Sequence, residues 1–179
     1  MLTTDNSVLV VVDVQGRLAQ LMHDKDIIFA NIERMIKGAQ LLDIPVLWTE
    51  QYPEGLGATI PQLAQLMPGN APLVKDTFSC CGDEKFAKAL KSSGRKQVML
   101  TGIETHVCVY QTARDLLADG FGVELIVDAV SSRTAANRQL GIERMKDLGA
   151  GVMSTEMTLF ELLRVAKGDK FKEVLRIVK

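Results

Sequence analysis

The sequence predicts an α/β fold in which a parallel sheet is covered by helices on both faces. The chain opens with a continuous β-branched run, SVLVVVDVQ (7–15), which is typical of a strand buried on both faces. Five further short apolar runs follow, and segments with helical periodicity or turn residues separate them. Strands that alternate with helices form right-handed βαβ units, and such units place their strands parallel in one sheet.

The first half of the chain contains three predicted strands and two predicted helices. After the strand over 7–15, apolar residues recur at helical spacings of 4, 3, 4 and 3, at Ile28, Ile32, Met35, Ala39 and Leu42. Pro45 ends that helix, and VLWTE (46–50) is the second strand. The segment 51–59 holds a proline and two glycines and is predicted to be a loop. A short helix over 61–67 and a third strand, APLVKD (71–76), follow.

The second half continues the same alternation. Its predicted elements are, in order, a helix over 83–93, a strand over 97–103, a helix over 106–120, a strand over 123–130, a helix over 135–148, a strand over 151–155, and two closing helices over about 156–166 and 169–178. Because ligands bind beyond the carboxyl ends of such strands, polar residues at strand ends are the candidates for a functional site.

Composition excludes several functional classes. The 179 residues are 47% hydrophobic and 24% charged, which suits one globular domain over 1–179. A net charge of −1 predicts no basic patch, so nucleic acid is not an expected partner. The first apolar run is too short for a signal or membrane segment, so we expect a cytoplasmic protein without a membrane partner. Three cysteines, two of them adjacent, form no disulfide framework and are expected to be free thiols.

Three reactive residue types follow predicted strands: Asp13 after the first, Lys75 at the end of the third, and Cys108 after the fourth. Each has an ordinary structural explanation as well. The aspartate could cap a loop, the lysine could be solvated, and the cysteine could be a small buried apolar residue. Their combination indicates catalysis, because the fold brings all three strand ends to one edge of the sheet.

The chemistry of the three residues is complementary. A helix N-terminus favours the thiolate of Cys108, and Asp13 could take the thiol proton as a general base. Lys75 could hold the carboxylate, although it must reach about 10 Å across two strand spacings. His106 is a weaker candidate base, since residues two positions apart on a helix point in different directions. The sequence has no glycine-rich nucleotide motif, no G-x-S-x-G elbow and no zinc spacing.

The segments that carry these residues resemble a known family. VDVQ with Asp13, PLVKDTFS with Lys75 and GIETHVCVYQTA with Cys108 are similar to the isochorismatase-like cysteine hydrolase superfamily, and the resemblance extends over nearly the whole chain. TEQYPEGLG (49–57) and VDAVSSR (127–133) resemble the isochorismatase-domain-containing subgroup. The resemblance implies one hydrolase domain over 1–179 with a three-layer α/β/α sandwich, in which a Rossmann-like six-stranded parallel sheet has the strand order 3-2-1-4-5-6.

The resemblance also implies the active site. It assigns a catalytic triad to Asp13, Lys75 and Cys108 and an oxyanion hole to the backbone amides of Glu104 and Cys108, with a cis Ile103–Glu104 peptide. A thiol at position 108 favours amide hydrolysis through a thioester with a small-molecule substrate. The alternatives are vinyl-ether hydrolysis of the isochorismatase type, which needs no thiol, and a non-catalytic binding protein on the same scaffold.

The remaining expectations about the site concern its cofactors and its substrate pocket. Nicotinamidases of the superfamily have an Asp and several His as metal ligands after the second strand, whereas WTEQYPEGLGATIPQL has neither, so we expect no metal and no other cofactor. The expected substrate pocket consists of Gln15, Tyr52, Leu56, Phe78 and Tyr110, although Gln15 could instead bond loop backbone. Arg133 could bind a substrate carboxylate or form a surface ion pair.

A homo-oligomer is expected as well. The family commonly forms dimers or larger assemblies, and the last helix carries an apolar stripe made of Phe171, Val174, Leu175 and Val178. That stripe could equally cover the core of its own chain.

Overall fold

The computed structural model describes residues 1–179 and has one six-stranded parallel sheet. The strands are β1 (Ser7–Val12), β2 (Val46–Gln51), β3 (Leu73–Lys75), β4 (Gln97–Ile103), β5 (Gly122–Ser131) and β6 (Gly151–Met153). Their order across the sheet is β3-β2-β1-β4-β5-β6, and every neighbouring pair is parallel. The predicted fold class and strand order are confirmed.

Nine α-helices connect and flank these strands. They are α1 (Gly16–Gln20), α2 (Lys25–Leu41), α3 (Pro53–Leu56), α4 (Pro61–Ala64), α5 (Glu84–Ser92), α6 (Tyr110–Ala118), α7 (Ala135–Asp147), α8 (Thr155–Leu163) and α9 (Asp169–Val178). A 3₁₀ turn spans Cys80–Gly82, and a π-helical turn spans Thr105–Val109 directly before α6. Three of the longer helices have an N-cap side chain that accepts from backbone N–H groups of the first turn: Asp83 in α5, Thr134 in α7 and Ser154 in α8.

The sheet has an apolar layer on each face. Because side chains alternate along a strand, Leu9 and Val11 of β1 join one buried cluster with residues of α2, α8 and α9. Val8 and Val10 join the other buried cluster, with residues of α5, α6 and α7. The molecule is therefore the expected α/β/α sandwich, and its middle layer is buried on both sides.

Strand register brings the candidate residues together. In the β1–β4 ladder Val12 is opposite Gly102, so Asp13 leaves the sheet beside the segment that leads to Cys108. In the β2–β3 ladder Gln51 is opposite Lys75. The carboxyl ends of β1, β2, β3 and β4 thus form one continuous edge.

Two short helices and one helix start differ from the sequence prediction. The segment 51–59, predicted to be a loop, contains α3, and α1 lies directly after β1. Helices of four or five residues are too short for apolar periodicity to reveal them. The helix predicted over 61–67 ends at Ala64. The helix predicted over 106–120 begins at Thr105 as a π-helical turn, with Glu104 as its N-cap residue.

Gly16 and Gly102 allow close backbone approaches at this edge. Gly16 has a φ of +42°, and a Cβ there would lie 2.2 Å from the carbonyl oxygen of Leu56, so glycine lets α1 pack against α3. Gly102 has a φ of +112°, and a Cβ there would lie 2.1 Å from the carbonyl oxygen of Val12. Both glycines shape the chain beside the candidate site.

The C-terminal stripe lies partly within its own core. Val174 is fully buried and packs in the cluster formed with α2 and α8, whereas Phe171, Leu175 and Val178 are half-buried. Self-association through this stripe therefore stays a prediction. None of the helices combines the length and the apolar character that crossing a membrane requires.

Candidate functional site

Asp13 lies at the junction of β1 and α1 and is almost completely buried, with 3% of its surface exposed. Its backbone has a φ of +49°, a left-handed conformation that aspartate adopts more readily than most residues. The Thr49 hydroxyl donates to Oδ1 at 2.7 Å, and the Lys75 ammonium donates to Oδ2 at 2.6 Å. Both carboxylate oxygens are therefore held by donors.

Lys75 is 2% exposed and reaches across β2 to Asp13, as the sequence analysis required. Its Nζ also lies near Gln51 Oε1 at 3.1 Å and the carbonyl oxygens of Thr77 at 2.9 Å and Phe78 at 3.2 Å. An ammonium has three N–H donors, so these four acceptors use all of them. The cation itself is buried and is fixed in place by four partners.

Cys108 lies in the π-helical turn, with its sulfur 3.4 Å from Gln51 Oε1, to which it donates. Burial and, to a smaller extent, the negative charge of Asp13 together raise the pKa of this thiol to about 12, while Lys75 opposes the shift. The helix N-terminus therefore does not lower the pKa of this thiol below its usual range. Desolvation outweighs the partial charge of the turn, so the group is a thiol at neutral pH.

All three cysteines are free, as predicted. Cys80 is fully buried behind the site, with its sulfur 3.8 Å from the Thr49 hydroxyl, and burial raises the pKa of its thiol to about 11. Cys81 is half-buried, and burial raises its pKa to about 12. Of the three thiols, that of Cys108 lies next to Asp13 and Lys75 and also lines a cavity.

Gln51 is a site residue that the sequence analysis missed. Its Oε1 accepts from both Lys75 and Cys108, whereas its Nε2 makes no hydrogen bond within the chain. An ammonium can only donate, so the amide orientation is set and the Nε2 side remains free. The available signal was its position at the end of β2, between the strands that carry Asp13 and Lys75.

A cavity of about 90 Å³ opens beside these groups. Polar and ionisable residues on its wall are Asp13, Gln51, Glu104 and Cys108, and apolar residues are Leu18, Leu56, Phe78, Ile103 and Val107. Of the apolar set, the sequence analysis named Leu56 and Phe78. It missed Leu18 because α1 was not predicted, and it missed Ile103 and Val107 because each looks like an ordinary core position.

Three of the five expected pocket residues lie elsewhere. Gln15 is fully buried and bonds the main chain, with Oε1 accepting from Gln51 N at 2.7 Å and Nε2 donating to the carbonyl oxygens of Gln51 and Gly57. Tyr52 is 57% exposed, and its ring lies over Gly55. Tyr110 packs against the cluster under α5, α6 and α7. Gln15 thus supports the wall of the cavity, and the two tyrosines are absent from it.

Glu104 contributes a free backbone amide and a carboxylate. The Ile103–Glu104 peptide is cis, as expected, and the Glu104 N–H donates no hydrogen bond within the chain. Glu104 Oε2 accepts from the backbone N–H of Arg133 at 3.1 Å and from its Nε at 3.2 Å. Arg133 therefore forms the ion pair that the sequence analysis considered. His106 does not reach Cys108, since its Nδ1 lies 2.9 Å from the Ser132 hydroxyl.

No group of three or more His, Cys, Asp or Glu side chains is arranged to hold a metal ion. The expectation that the protein works without a metal or another cofactor stays a prediction.

Comparisons with known proteins agree with this architecture. The isochorismatase domain model matches residues 7–157. A mouse protein, isochorismatase domain-containing protein 2A, is 39% identical over 178 residues, which cover 98% of this chain and 84% of the mouse protein. Among solved structures, MAR1 ribonuclease from Caenorhabditis elegans is 38% identical, with a TM-score of 0.92 over 99% of this chain and 91% of that one.

A second solved structure is the YcaC gene product from Escherichia coli, described as an octameric hydrolase of unknown specificity. It is 25% identical, with a TM-score of 0.93 over 98% of this chain and 89% of that one. The family model covers most of the chain, and the mouse relative aligns over nearly all of it. The chain therefore belongs to the isochorismatase family.

Proposed function

We propose that this protein is an amidohydrolase that cleaves a small amide through a thioester on Cys108. One observation carries the proposal: the buried Lys75–Asp13 ion pair lies next to a thiol that reaches a cavity. A buried ion pair contributes little to stability on average, because desolvation offsets its attraction. Its position beside a nucleophile gives it a catalytic role.

The first half-reaction begins with a protonated thiol, because burial raises the pKa of Cys108 to about 12. Asp13 takes the thiol proton as the sulfur attacks the amide carbon, and the carbonyl oxygen becomes an oxyanion. When that intermediate collapses, the C–N bond breaks and Asp13 returns the proton to the nitrogen, which leaves as ammonia or an amine. The product on the protein is a thioester.

The second half-reaction restores the thiol. Asp13 takes a proton from water as the water oxygen attacks the thioester carbon. The C–S bond then breaks, the sulfur regains its proton from Asp13, and a carboxylic acid leaves. Lys75 keeps the carboxylate in place in both halves, since its own N–H donors are all engaged.

The oxyanion is stabilised by backbone amides. The Glu104 N–H has no partner in the chain, and the Cys108 N–H lies in the first turn of a helix, where amides lack intrahelical acceptors. One such donor is worth roughly 3–4 kcal/mol in the transition state.

Three other functions remain as alternatives. Vinyl-ether hydrolysis of the isochorismatase type would leave the thiol unused, and a binding protein would leave the whole triad unused. Ribonuclease activity is suggested by the description of the Caenorhabditis elegans relative. The cavity disfavours a phosphodiester, because Asp13 and Glu104 line it and the N–H donors of Lys75 are all engaged within the chain.

The test is a screen of small amides with released ammonia as the readout, comparing the wild type with Cys108→Ala. We expect turnover in the wild type and its loss in the variant, and mass spectrometry should detect an acyl adduct on the peptide that contains Cys108. Turnover that survives in a folded Cys108→Ala protein would refute the thioester. RNA offered in the same buffers tests the ribonuclease alternative, and we expect no cleavage.

We also infer that the protein self-associates. The Escherichia coli relative is described as octameric, and half-buried Phe171 and Leu175 on α9 lie outside the core cluster that Val174 and Val178 join. Light scattering at micromolar concentration should give a multiple of the 19.7 kDa chain mass. A monomer mass would contradict the inference.

A further inference from the structure

The ionisable side chains on the cavity wall are Asp13, Glu104 and Cys108, and none of them is a cation. The nearest lysine, Lys75, is buried and has given its three N–H donors to acceptors of the chain. A ligand in the cavity therefore meets no free ammonium or guanidinium group, and the charge that it meets is negative.

The negative charge of Asp13 is compensated by buried Lys75, whereas no buried cation compensates the negative charge of Glu104. Its side chain is 10% exposed, and only one of its oxygens, Oε2, has a partner. That partner, Arg133, is 57% exposed, so solvent weakens its compensation. The second oxygen, Oε1, accepts no hydrogen bond from the chain and remains available as an acceptor.

We propose that Glu104 makes this cavity selective for small uncharged amides whose N–H groups can donate to Oε1, and makes it reject carboxylates. This inference rests on the proposed amidohydrolase function and adds the class of its substrate. The free Nε2 of Gln51 and the free N–H of Glu104 supply donors for the carbonyl oxygen, so the wall offers both halves of an amide a partner.

Two features strengthen the discrimination against anions. The volume of about 90 Å³ leaves little room for a carboxylate to keep its hydration shell. Apolar side chains also line the wall, and a low local dielectric increases the repulsion between like charges. A primary amide has nearly the same shape as a carboxylate but is uncharged and has N–H donors, so the two differ in charge and in the ability to donate to Glu104 Oε1.

The test uses iodoacetamide and iodoacetate, which are nearly isosteric and differ in charge. Both alkylate Cys108, so the measurement needs no turnover and no knowledge of the natural substrate. Rates are followed by mass spectrometry on the Cys108 peptide at one mildly alkaline pH, with free cysteine in the same buffer as the reference. We expect the iodoacetamide-to-iodoacetate rate ratio at Cys108 to exceed that of free cysteine by roughly tenfold or more.

Two variants change the charge in opposite directions. Glu104→Gln should raise the iodoacetate rate and bring the ratio close to that of free cysteine, since the amide keeps the shape and removes the charge. Arg133→Gln should lower the iodoacetate rate further, because it removes the compensating cation. The control is Glu161→Gln, a carboxylate outside this cavity, which should leave the ratio unchanged.

Each outcome decides the proposal. A wild-type ratio equal to that of free cysteine overturns it even if no variant folds, and so does a folded Glu104→Gln protein with the wild-type ratio. The amide screen separates this result from the proposed function. Hydrolysis of carboxylate-bearing amides as fast as of neutral ones refutes the selectivity alone. A high ratio without hydrolysis of any amide refutes the amidohydrolase function and leaves a cavity selective for neutral ligands.

Discussion

Two depressions of this molecule differ in size and in chemistry, and the smaller one has the features of a reaction site. A groove of about 840 Å³ lies beside the edge strand β6 and is lined by Met1, Val152, Met157 and Phe160, with Glu124, Glu161 and Arg164 among its polar residues. The cavity at Cys108 has a volume of about 90 Å³. Volume alone would therefore select the groove rather than the cavity of the proposed site.

The difference lies in how each region holds its charges. At the cavity, Asp13 and the adjacent Lys75 are at most 3% exposed, each carboxylate oxygen of Asp13 accepts a hydrogen bond, and the N–H donors of Lys75 are all engaged. In the groove, Glu124 is only partly buried and lies near a second carboxylate, Glu161. Desolvated groups with fixed partners exchange a proton at a defined position, whereas the carboxylates of the groove remain partly in contact with solvent.

The largest expected effect is that of Asp13→Asn. Removal of a general base typically lowers turnover by about 10²–10⁴-fold. Alkylation of Cys108 should become faster at the same time, because the charge of Asp13 contributes to the raised pKa of the thiol. Ammonia release and the alkylation rate, measured on the same preparation, should thus change in opposite directions.

Glu161→Gln in the groove is the matched control and should change neither rate. If alkylation and turnover of a folded Asp13→Asn protein both fell, the loss of Asp13 as proton acceptor would outweigh the removal of its charge, and the expected opposite changes would be contradicted.

The second prediction concerns stability and compares Lys75→Met with Arg164→Met. The first leaves the Asp13 carboxylate buried without its cation, which should cost about 3–5 kcal/mol of unfolding free energy. The second removes an exposed side chain of the groove and should cost about 0–1 kcal/mol. Urea unfolding measures both.

The double variant Lys75→Met with Asp13→Asn separates charge from packing. We expect it to be more stable than Lys75→Met alone, since no unpaired charge remains. If the double variant lost as much unfolding free energy as the two single variants together, Asp13 and Lys75 would contribute to stability independently of each other.

Sequence patterns predicted the sheet and the longer helices because those features depend on local periodicity. The β-branched run of β1 and the spacing of Ile28, Ile32 and Met35 in α2 each report burial directly. The positions of Asp13, Lys75 and Cys108 followed from strand ends meeting at one edge. Their roles in catalysis stay proposals.

Other features of the site depend on contacts between distant segments. Leu18 reaches the cavity only because α1 packs on α3, and neither short helix has a periodic signal. Gln15 was expected in the pocket but is occupied by main-chain partners from 51 and 57. The raised pKa of Cys108 depends on burial by the whole fold, which outweighs the local helix start.

The third prediction compares Gly102→Ala, next to the cavity, with Gly151→Ala, in the groove. At Gly102 the φ of +112° disfavours any side chain, and a Cβ would collide with the Val12 backbone. We expect a loss of roughly 2–4 kcal/mol. At Gly151 a Cβ would meet only the end of the Glu124 side chain, which can move, so the loss should stay under about 1 kcal/mol.

Thermal or urea unfolding of the two variants gives the comparison. Equal losses would show that the backbone beside the cavity tolerates a side chain as well as the groove does.

The smallest expected effect is that of Glu124→Gln. Desolvation raises the pKa of Glu124 above its usual 4.5, and the nearby Glu161 raises it further. The unfolded chain therefore ionises this group at lower pH than the folded protein does. The stability that the protonated group contributes is present below about pH 4.5 and is lost as the pH rises through the folded pKa.

At neutral pH the wild type has lost this contribution, so Glu124→Gln should be more stable than the wild type by a few tenths of a kcal/mol, a small value because the site is partly solvated. The advantage should disappear in acid, where the wild-type carboxyl is protonated. Urea unfolding at both pH values measures it, and Glu143→Gln, on the exposed face of α7, should show no such pH dependence. If the stability advantage of Glu124→Gln grew in acid, the ionised Glu124 would have a stabilising partner in the folded protein. The groove would then resemble the cavity, where ionised groups are paired.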